Sequence, residues 1–228
     1  MFQLIASDFD GTIYHHGRIS QEDRDAVAAW RAAGGHFGIV TGRGVTFPAM
    51  MQELQVDCDF YLCCNGAVLM DADGNILREN QISAEVFERL EQAFRDKPGA
   101  YNYSITAQQT AFHQYNGQMP TQQDAIDFVA ELNARFGEDI TAYANGININ
   151  IVARGESKAL GVVHALEHFL LPEQAAAVVG DELNDLPMIE HFNGWAMANA
   201  RPEVLAATSR MCRSIADLVD QLFAHNRN

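Results

Sequence analysis

The order of apolar, helical and polar segments constrains this fold more than any other feature of the sequence. Residues 2–7 are mostly apolar and end in a polar loop, which is typical of a buried parallel strand. A helical segment at 20–33 follows, Gly34-Gly35 ends it, and residues 36–40 predict a second strand. The connection between the two strands is long enough for both to lie parallel in one sheet.

The same alternation returns near the end of the chain. The pattern predicts a helix from Ser157 to about Phe169, a strand at 175–179, a helix after Asn184, a strand near 194–198 and a helix from Ser214. Alternating strands and helices indicate a doubly wound α/β fold with a parallel sheet. We therefore expect both ends of the chain to belong to one core.

The middle of the chain follows a different pattern. Each of two helices precedes a pair of strands, and the segments are a helix at 83–96, strands at 101–106 and 110–115, a helix at 121–136, and strands at 140–143 and 147–152. Paired strands after a helix favour an antiparallel sheet, so this αββαββ segment is typical of α+β structure. We expect an inserted cap domain at 82–152 and a core formed by residues 1–81 and 153–228.

The charge balance excludes several classes of partner. The 228 residues include 30 Asp and Glu but 15 Lys and Arg, for a formal net charge of −15. Nucleic-acid and anionic-membrane surfaces need clustered positive charge, so we expect neither partner. No apolar run approaches the ~20 residues of a membrane span, and the N-terminus lacks a basic signal-peptide stretch. Four cysteines without zinc-ligand spacing suit free thiols. These features favour a soluble, cytoplasmic protein and leave its oligomeric state open.

Two aspartates follow the first predicted strand, in the segment Asp8-Phe9-Asp10-Gly11-Thr12. In open α/β sheets, ligands bind at the carboxyl edge of the strands. The glycine indicates a turn, so both carboxylates can reach one centre and the turn amides can face a phosphate. An isolated Asp-x-Asp is more often a solvated acidic turn, but the strand before it and the Gly-Thr after it favour a functional site.

Two further segments place hydrogen-bond donors at the same edge. Thr41-Gly42-Arg43 ends the second strand and offers a hydroxyl, turn amides and a guanidinium, although a Thr-Gly turn can be purely structural. Lys158, one of only two lysines in the chain, follows Ser157 in the first turn of a predicted helix. The helix dipole disfavours a cation there, so we infer an anion nearby.

A fourth segment, Gly180-Asp181-Glu182-Leu183-Asn184-Asp185, ends the strand at 175–179 and opens a helix. Its aspartates and asparagine are residue types that cap helices, so a structural role is an alternative. Its position at the end of a predicted parallel strand places it at the same sheet edge as the other three segments.

The four segments, in this order, resemble the motifs of the haloacid dehalogenase superfamily of phosphotransferases. The position of the insert, between the Thr41 and Lys158 motifs, resembles the Cof-like sugar-phosphatase branch. The resemblance covers essentially the whole chain and implies a Rossmann-like core. Asp10, two residues after Asp8, is present as in the phosphate-transferring members and unlike the dehalogenases.

The resemblance implies a mechanism in which Asp8 attacks phosphorus and forms an aspartyl phosphate. Asp10 would protonate the leaving oxygen and later deprotonate the hydrolytic water, which requires a proton that neighbouring carboxylates would favour. Thr41 and Lys158 would act with them. The phosphoryl oxygens would be bound by Thr41, Gly42, Arg43, Lys158 and Asn184.

The resemblance also implies a Mg²⁺ cofactor, because a hard divalent ion suits a site made only of oxygen ligands. Asp8 and Asp181 would supply carboxylates, and Asp10 would supply its backbone carbonyl. Asn184 and Asp185 would orient the metal waters and Lys158.

Several weaker signals in the sequence each allow two interpretations. Asn65-Gly66 either forms only a tight turn or directs Asn65 toward the phosphate side of the pocket, as in Cof-like members. Arg43 either reaches the substrate or pairs with an acid. Side chains alternate along a strand, so only some of the polar residues on the predicted cap strands should face the cleft. These residues are Asn102, Tyr103, His113, Asn148 and Asn150.

The leading interpretation is a Mg²⁺-dependent phosphatase of a small phosphorylated metabolite, such as a sugar phosphate or a phosphoglycolate-like acid. A cap of about 70 residues can close over a metabolite but would hinder a polymer. A sugar-phosphate phosphomutase is the alternative, since such relatives share this cap position. A non-enzymatic sugar-phosphate sensor is a third interpretation, and it predicts at least one broken motif.

Overall fold

The computed structural model describes residues 1–102 and 112–227. The strands in these ranges are β1 (Leu4–Asp8), β2 (His36–Val40), β3 (Phe60–Cys63), β4 (Val68–Asp71), β5 (Ile76–Glu79), β6 (Tyr101–Asn102), β7 (Tyr115–Gln118), β8 (Ile140–Asn145), β9 (Asn148–Ala153), β10 (Ala176–Gly180), β11 (Trp195–Met197) and β12 (Met211–Cys212). The α-helices are α1 (Gln21–Ala32), α2 (Phe47–Glu53), α3 (Ala84–Asp96), α4 (Gln122–Phe136), α5 (Lys158–His168), α6 (Leu186–Phe192), α7 (Pro202–Ala207) and α8 (Ile215–Asn226).

The larger of two sheets has the strand order β12-β11-β10-β1-β2-β3-β4-β5. β1 pairs in parallel with β10 on one side and with β2 on the other. The strands from β12 to β3 are all parallel to their neighbours, whereas β4 and β5 form an antiparallel extension. The predicted doubly wound α/β fold is confirmed, with strands from both ends of the chain in one sheet.

The local sequence explains why some of these strands are buried and where the first helix begins. β1 and β10 are buried along their whole length, so their backbone groups depend on the sheet ladder for hydrogen bonds. α1 begins after Ser20, whose side chain accepts a hydrogen bond from the Asp23 amide, as the capping sequence predicts. α1 packs against α8, and α5 packs against α6.

The second sheet is antiparallel and has the order β6-β7-β9-β8. We call the elements from α3 to β9 the cap. Their order, α3-β6-β7-α4-β8-β9, confirms the predicted αββαββ arrangement. The cap has its own hydrophobic cluster, which includes Phe94, Tyr115, Phe128 and Ile149. The predicted limits of the cap domain, 82 and 152, remain predictions.

The strand predicted at 110–115 is wrong over residues 112–114, because β7 begins only at Tyr115 and runs to Gln118; residues 110–111 lie outside the described residues. Residues 112–114 instead connect the cap to the core. The Phe112 carbonyl accepts from the Ile82 amide, and His113 bonds to Glu79. The sheet ladder begins only where Tyr115 enters the cap cluster. Of the strand predicted at 101–106, residues 103–106 lie outside the described residues.

No helix in the two described ranges is both long enough and apolar enough to cross a bilayer.

Candidate active site

Four buried polar side chains meet at the carboxyl edge of the parallel sheet. Asp8 ends β1, Thr41 follows β2, Asp181 follows β10, and Lys158 is the first residue of α5. Their exposed fractions are 6% for Asp8, 2% for Thr41, 8% for Asp181 and 2% for Lys158. Burying charged groups costs free energy unless they are paired, so this concentration indicates a functional site.

Lys158 lies between two carboxylates. Its Nζ donates to Oδ1 of Asp8 and to Oδ1 of Asp185, at 2.6 Å in each case. Burial alone would lower the pKa of Lys158, but the charges of Asp185 and Asp8 outweigh burial and raise it. The lysine is therefore held as a cation. The anion that we inferred near this helix N-terminus is a pair of aspartates.

One lysine does not neutralise the carboxylates around it. Burial, followed by the charge of Asp185, raises the pKa of Asp8 well above its ordinary value despite the opposing effect of Lys158. Burial also raises the pKa of Asp181 from 3.8 to about 6, although a hydrogen bond from Thr12 opposes this shift. Three buried carboxylates, those of Asp8, Asp181 and Asp185, surround this one lysine, and a bound cation would favour their charged forms.

The donor set fits a hard divalent cation such as Mg²⁺. Asp8, Asp181 and Asp185 each place a carboxylate oxygen within 4.8 Å of the others, and Oδ1 of Asn184 is buried without a hydrogen-bond partner among the described residues. Magnesium prefers oxygen ligands and is usually held by few carboxylates together with water and phosphate. The carboxylate of Asp10 is not part of this cluster.

Asp185 organises the turn that carries Asp181. Its Oδ2 accepts from the backbone amides of Asp181 and Glu182, at 2.9 Å each, while its Oδ1 accepts from Lys158. Both oxygens of Asp185 thus have protein donors. The capping role that the sequence left open is present, and the same carboxylate also accepts a hydrogen bond from Lys158.

Contacts with Asp181 explain why a glycine and a threonine follow the two aspartates. Gly11 has a φ of +87°, and a Cβ at this position would lie 2.3 Å from Oδ2 of Asp181. Thr12 donates from Oγ1 to Oδ1 of Asp181 at 2.8 Å. The first and fourth sequence motifs therefore pack directly against each other.

Asp10 pairs with Arg43. The Nε and Nη2 atoms of Arg43 donate to Oδ2 and Oδ1 of Asp10, at 2.9 and 2.8 Å. Of the two interpretations of Arg43, pairing with an acid is the one that the structure shows. The structure also corrects the expectation that carboxylates are the charged neighbours of Asp10, because the side chain turns toward this guanidinium instead.

Thr41, Arg43 and Asn65 are joined through backbone and side-chain bonds. The amide of Arg43 donates to Oγ1 of Thr41 at 3.1 Å, and the amide of Asn65 donates to the Thr41 carbonyl at 2.9 Å. Cys64, Asn65 and Gly66 have consecutive φ values of 53°, 53° and 96°. Asn65-Gly66 does form the turn between β3 and β4, but the Asn65 side chain is also buried in the site.

The cap supplies asparagines to the opposite wall of the cavity. A cavity of about 430 Å³ is lined on the core side by the four motifs and on the cap side by Asn145, Asn148 and Asn150. Asn116 and Asn150 line an adjoining cavity of about 450 Å³ beside Arg43. Among the predicted cap residues, His113 turns to Glu79, Asn102 lies on β6, and Tyr103 lies outside the described residues.

A larger cavity, of about 520 Å³, lies elsewhere, beside α1. In its lining, Arg31 bonds to both oxygens of Asp59. It also lacks the buried carboxylates of the sheet edge. We therefore assign the chemistry to the cavity between the core motifs and the cap.

Sequence reasoning missed Gln114. This buried cap residue hydrogen-bonds to Asn65 and to the Gly42 carbonyl, at 2.9 Å each. The sequence placed it on a strand and gave no reason to single it out. The signal that could have drawn attention to it is a polar residue directly before the buried Tyr115.

Comparisons with known proteins agree with this geometry. The family model for haloacid dehalogenase-like hydrolases matches residues 5–126 and 101–218. YxeH of Bacillus subtilis, which bears a phosphatase name, is 26% identical, with 94% of each chain covered. A phosphoglycolate phosphatase of Methanothrix thermoacetophila is 23% identical, with 98% of each chain covered.

A solved structure shows the same fold. A protein of Plasmodium vivax described as HAD/COF-like superposes with a TM-score of 0.82 at 18% identity, covering 98% of this chain and 96% of that chain. The family model spans most of the chain, and the four motifs converge at one sheet edge. This chain is therefore a member of the haloacid dehalogenase-like hydrolase family.

Proposed function

We propose that this protein is a Mg²⁺-dependent phosphatase that hydrolyses the phosphate monoester of a small neutral polyol, such as a sugar, through an aspartyl phosphate on Asp8. The observation that carries this proposal is the buried Asp8, which has a raised pKa and is held by Lys158 beside Asp181, a second carboxylate with a raised pKa. Two relatives with phosphatase names, each similar over nearly the whole chain, support the same reaction class.

The first chemical step is assigned to Asp8. Lys158 holds Oδ1 of Asp8, so Oδ2 is the oxygen that attacks phosphorus. The new bond joins Oδ2 to phosphorus while the bond from phosphorus to the leaving oxygen breaks. Asp10 gives a proton to that leaving oxygen. It then takes a proton from the water that attacks the phosphoaspartate, which releases phosphate and restores Asp8.

The remaining motif residues bind and neutralise the phosphoryl group. Its three equatorial oxygens carry charge in the transition state and need donors and cations. Arg43 lines the same cavity as Asp8, so an entering phosphate can compete with Asp10 for its guanidinium. We assign phosphoryl binding to Thr41, Gly42, Arg43, Lys158 and Asn184.

A Mg²⁺ ion would be held by Asp8 and Asp181, with the Asp10 carbonyl as the further ligand that the family resemblance implies. When bound, the metal supplies positive charge that offsets both the substrate phosphate and the surplus carboxylates. Asp185 serves as an anchor, since its oxygens already accept from Lys158 and two backbone amides.

The cap side of the cavity favours a neutral leaving group. The cap segment 82–152 contains four Lys and Arg residues, and the described lining of the cavity includes none of them. Arg89 pairs with Asp139, Lys97 with Glu131 and Arg95 with Glu91, while Arg135 stacks on Phe136. Asparagine amides instead suit hydroxyl groups, which donate and accept hydrogen bonds.

This lining weighs against two other substrates. A phosphoglycolate-like acid would bring a carboxylate, and a mutase would bring a second phosphate, to a wall without a cation among the described residues. A bisphosphate-dependent phosphomutase is therefore the weaker alternative. The intact convergence of all four motifs also argues against a sensor that has lost catalysis.

A cytoplasmic setting is part of the proposal. The four cysteines are free and buried, which suits a reducing compartment. The net charge of −15 does not suit a nucleic-acid surface. The proposed partner is a small phosphorylated metabolite, which the cavity can enclose.

The proposed function is tested with p-nitrophenyl phosphate and a panel of phosphorylated metabolites. We expect Asp8→Asn to lower kcat at least ~10³-fold, because the nucleophile is lost while the side chain keeps its shape. Chelation should abolish turnover, and Mg²⁺ should restore it. The matched control is Asp73→Asn, in an exposed turn, which should keep full activity. Wild-type protein that turns over no phosphate ester, or an active Asp8→Asn variant, would refute the proposal.

A further inference from the structure

A continuous chain of side-chain amides runs from the cap to the catalytic loops. Asn184 donates to Oδ1 of Asn65, and Asn65 donates to Oε1 of Gln114. Gln114 donates in turn to Oδ1 of Asn116, which also accepts from Asn150. Through Asn65, Gln114 and Asn116, these hydrogen bonds join the fourth motif to the cap face that lines the cavity.

Gln114 is the junction of this chain. Its Nε2 donates to the Gly42 carbonyl at 2.9 Å, and its Oε1 accepts from Asn65 at 2.9 Å. One cap side chain thus contacts the loop after β2 and the turn after β3. Gln114 is buried, so neither bond can be replaced by bulk water without opening the interface.

The two core segments that Gln114 contacts are also tied to each other. The amide of Cys64 donates to the Arg43 carbonyl at 2.8 Å, and the amide of Asn65 donates to the Thr41 carbonyl at 2.9 Å. Asn65 has a left-handed backbone with a φ of 53°, a conformation that surrounding contacts must hold in place. Gln114 supplies one of those contacts from the cap.

We propose that Gln114 is a positioning residue that couples cap placement to assembly of the phosphate site. Its hydrogen bonds fix the Gly42 loop and the Asn65 side chain, and through Asn65 they fix Asn184. The inference rests on the proposed phosphatase function for its catalytic consequence. It differs from a role in substrate recognition, because two of the hydrogen bonds of Gln114 are with the core itself, at Asn65 and at the Gly42 carbonyl.

The test uses acetyl phosphate, whose small leaving group offers the asparagines of the cap far fewer contacts than a sugar would. Gln114→Leu should lower kcat about tenfold even for this substrate, with a smaller change in KM, because two hydrogen bonds that place the phosphate loops are lost. The matched control is Gln118→Leu, at the far end of β7, the strand that Gln114 directly precedes. It should retain wild-type kcat.

A second variant separates positioning from simple packing. In Gln114→Glu, an ionised carboxylate cannot donate to the Gly42 carbonyl, so kcat at pH 8 should also fall about tenfold. A protonated carboxyl can donate again. We therefore expect the ratio of variant to wild-type kcat to rise as the pH falls toward 5.5, whereas the ratio for Gln114→Leu should stay constant.

Hydrogen exchange of the backbone amides gives a readout that does not depend on catalysis. In Gln114→Leu, the Cys64 and Asn65 amides should exchange about tenfold faster than in wild-type protein and in Gln118→Leu. Unchanged exchange together with a kcat equal to that of Gln118→Leu would overturn the inference. If wild-type protein hydrolyses no phosphate ester, the proposed function fails, while the exchange rates still decide whether Gln114 holds these loops.

Discussion

The two walls of the catalytic cavity use opposite chemistry. The core wall carries buried charges, with Lys158 between Asp8 and Asp185 and with Asp181 beside them. The cap wall carries asparagine amides and, within the described lining, no charged side chain. This contrast supports the proposal that the core performs the reaction and the cap recognises the leaving group.

The two walls also differ in how their polar groups are satisfied. In the cap wall, Asn150 donates to Asn116, which also accepts from Gln114, so these amides need no ion to be stable. The core wall holds three buried carboxylates against one lysine, and burial raises the pKa of Asp8 and that of Asp181. The core wall therefore favours binding of a cation, whereas these amides of the cap wall do not need one.

The largest effect is expected from removing the positive charge of the core wall. Lys158→Met would leave Asp8 and Asp185 buried without their shared cation, so we expect a loss of at least ~10³-fold in kcat. The same change should lower the free energy of unfolding by roughly 3 kcal/mol. Lys158→Arg should lose activity measurably, because the larger guanidinium must enter a fully buried site. Steady-state kinetics and urea unfolding measure both quantities.

The chain provides the control for this experiment in its only other lysine, Lys97. Lys97 pairs with Glu131 on the cap surface, where an exposed ion pair contributes less than ~1 kcal/mol. Lys97→Met should therefore leave kcat unchanged. Equal activity of Lys158→Arg and wild-type protein would show that the site needs only a positive charge and not the compact ammonium group.

A smaller effect should follow from giving the cap wall a charge. Asn148→Lys introduces a cation beside the cavity and should raise kcat/KM for phosphoglycolate, relative to a sugar phosphate, about tenfold. Gln123→Lys, on an exposed part of α4, makes the same change in net charge away from the site. If both variants shift the ratio equally, the cap wall does not select the leaving group.

The smallest effect concerns pH and stability in the absence of metal. Asp181 has an ordinary pKa of 3.8 and a pKa of about 6 in the folded protein. Between these values the folded protein keeps a proton that the unfolded chain has released, so the contribution of Asp181 to the free energy of unfolding falls as pH rises. Mg²⁺ should therefore raise Tm by a few degrees more at pH 8 than at pH 5.

Asp181→Asn provides the control for the pH experiment. It removes the titrating group, so the difference between the Mg²⁺ effects at the two pH values should shrink. Thermal unfolding with chelator and with Mg²⁺ measures this difference. A difference that persists unchanged in Asp181→Asn would assign the pH dependence to another group.

The sequence predicts the core wall better than the cap wall for a physical reason. The motif residues follow apolar strands, and the ends of parallel strands must meet at one edge, so Asp8, Thr41 and Asp181 can be placed together from local pattern. Lys158 could be added because a cation at a helix N-terminus needs an anion. The bond from Arg43 to Asp10 could not be chosen from the sequence, since either partner was chemically suitable.

The cap wall depends on which face of an antiparallel strand meets the core. Alternation gives two faces for β9 but does not say which one is buried, so Asn148 and Asn150 stayed among several candidates. Gln114 lies before β7 rather than on it, and its contacts are long-range. The start of β7 at Tyr115 is set by the cap cluster, which is why the strand predicted at 110–115 was displaced.

The position of β1 in the sheet has a consequence for how the protein is made. β1 pairs with β10, with Leu4 opposite Ala176, and Asp8 bonds to a lysine 150 residues later. In a nascent chain that has not reached residue 176, Asp8 therefore lies on a sheet that still lacks β10. Contacts across such separations form late because closing long loops costs entropy. The onset of phosphatase activity should thus report the final stage of folding, after the cap sheet, whose strands are close in sequence, has formed.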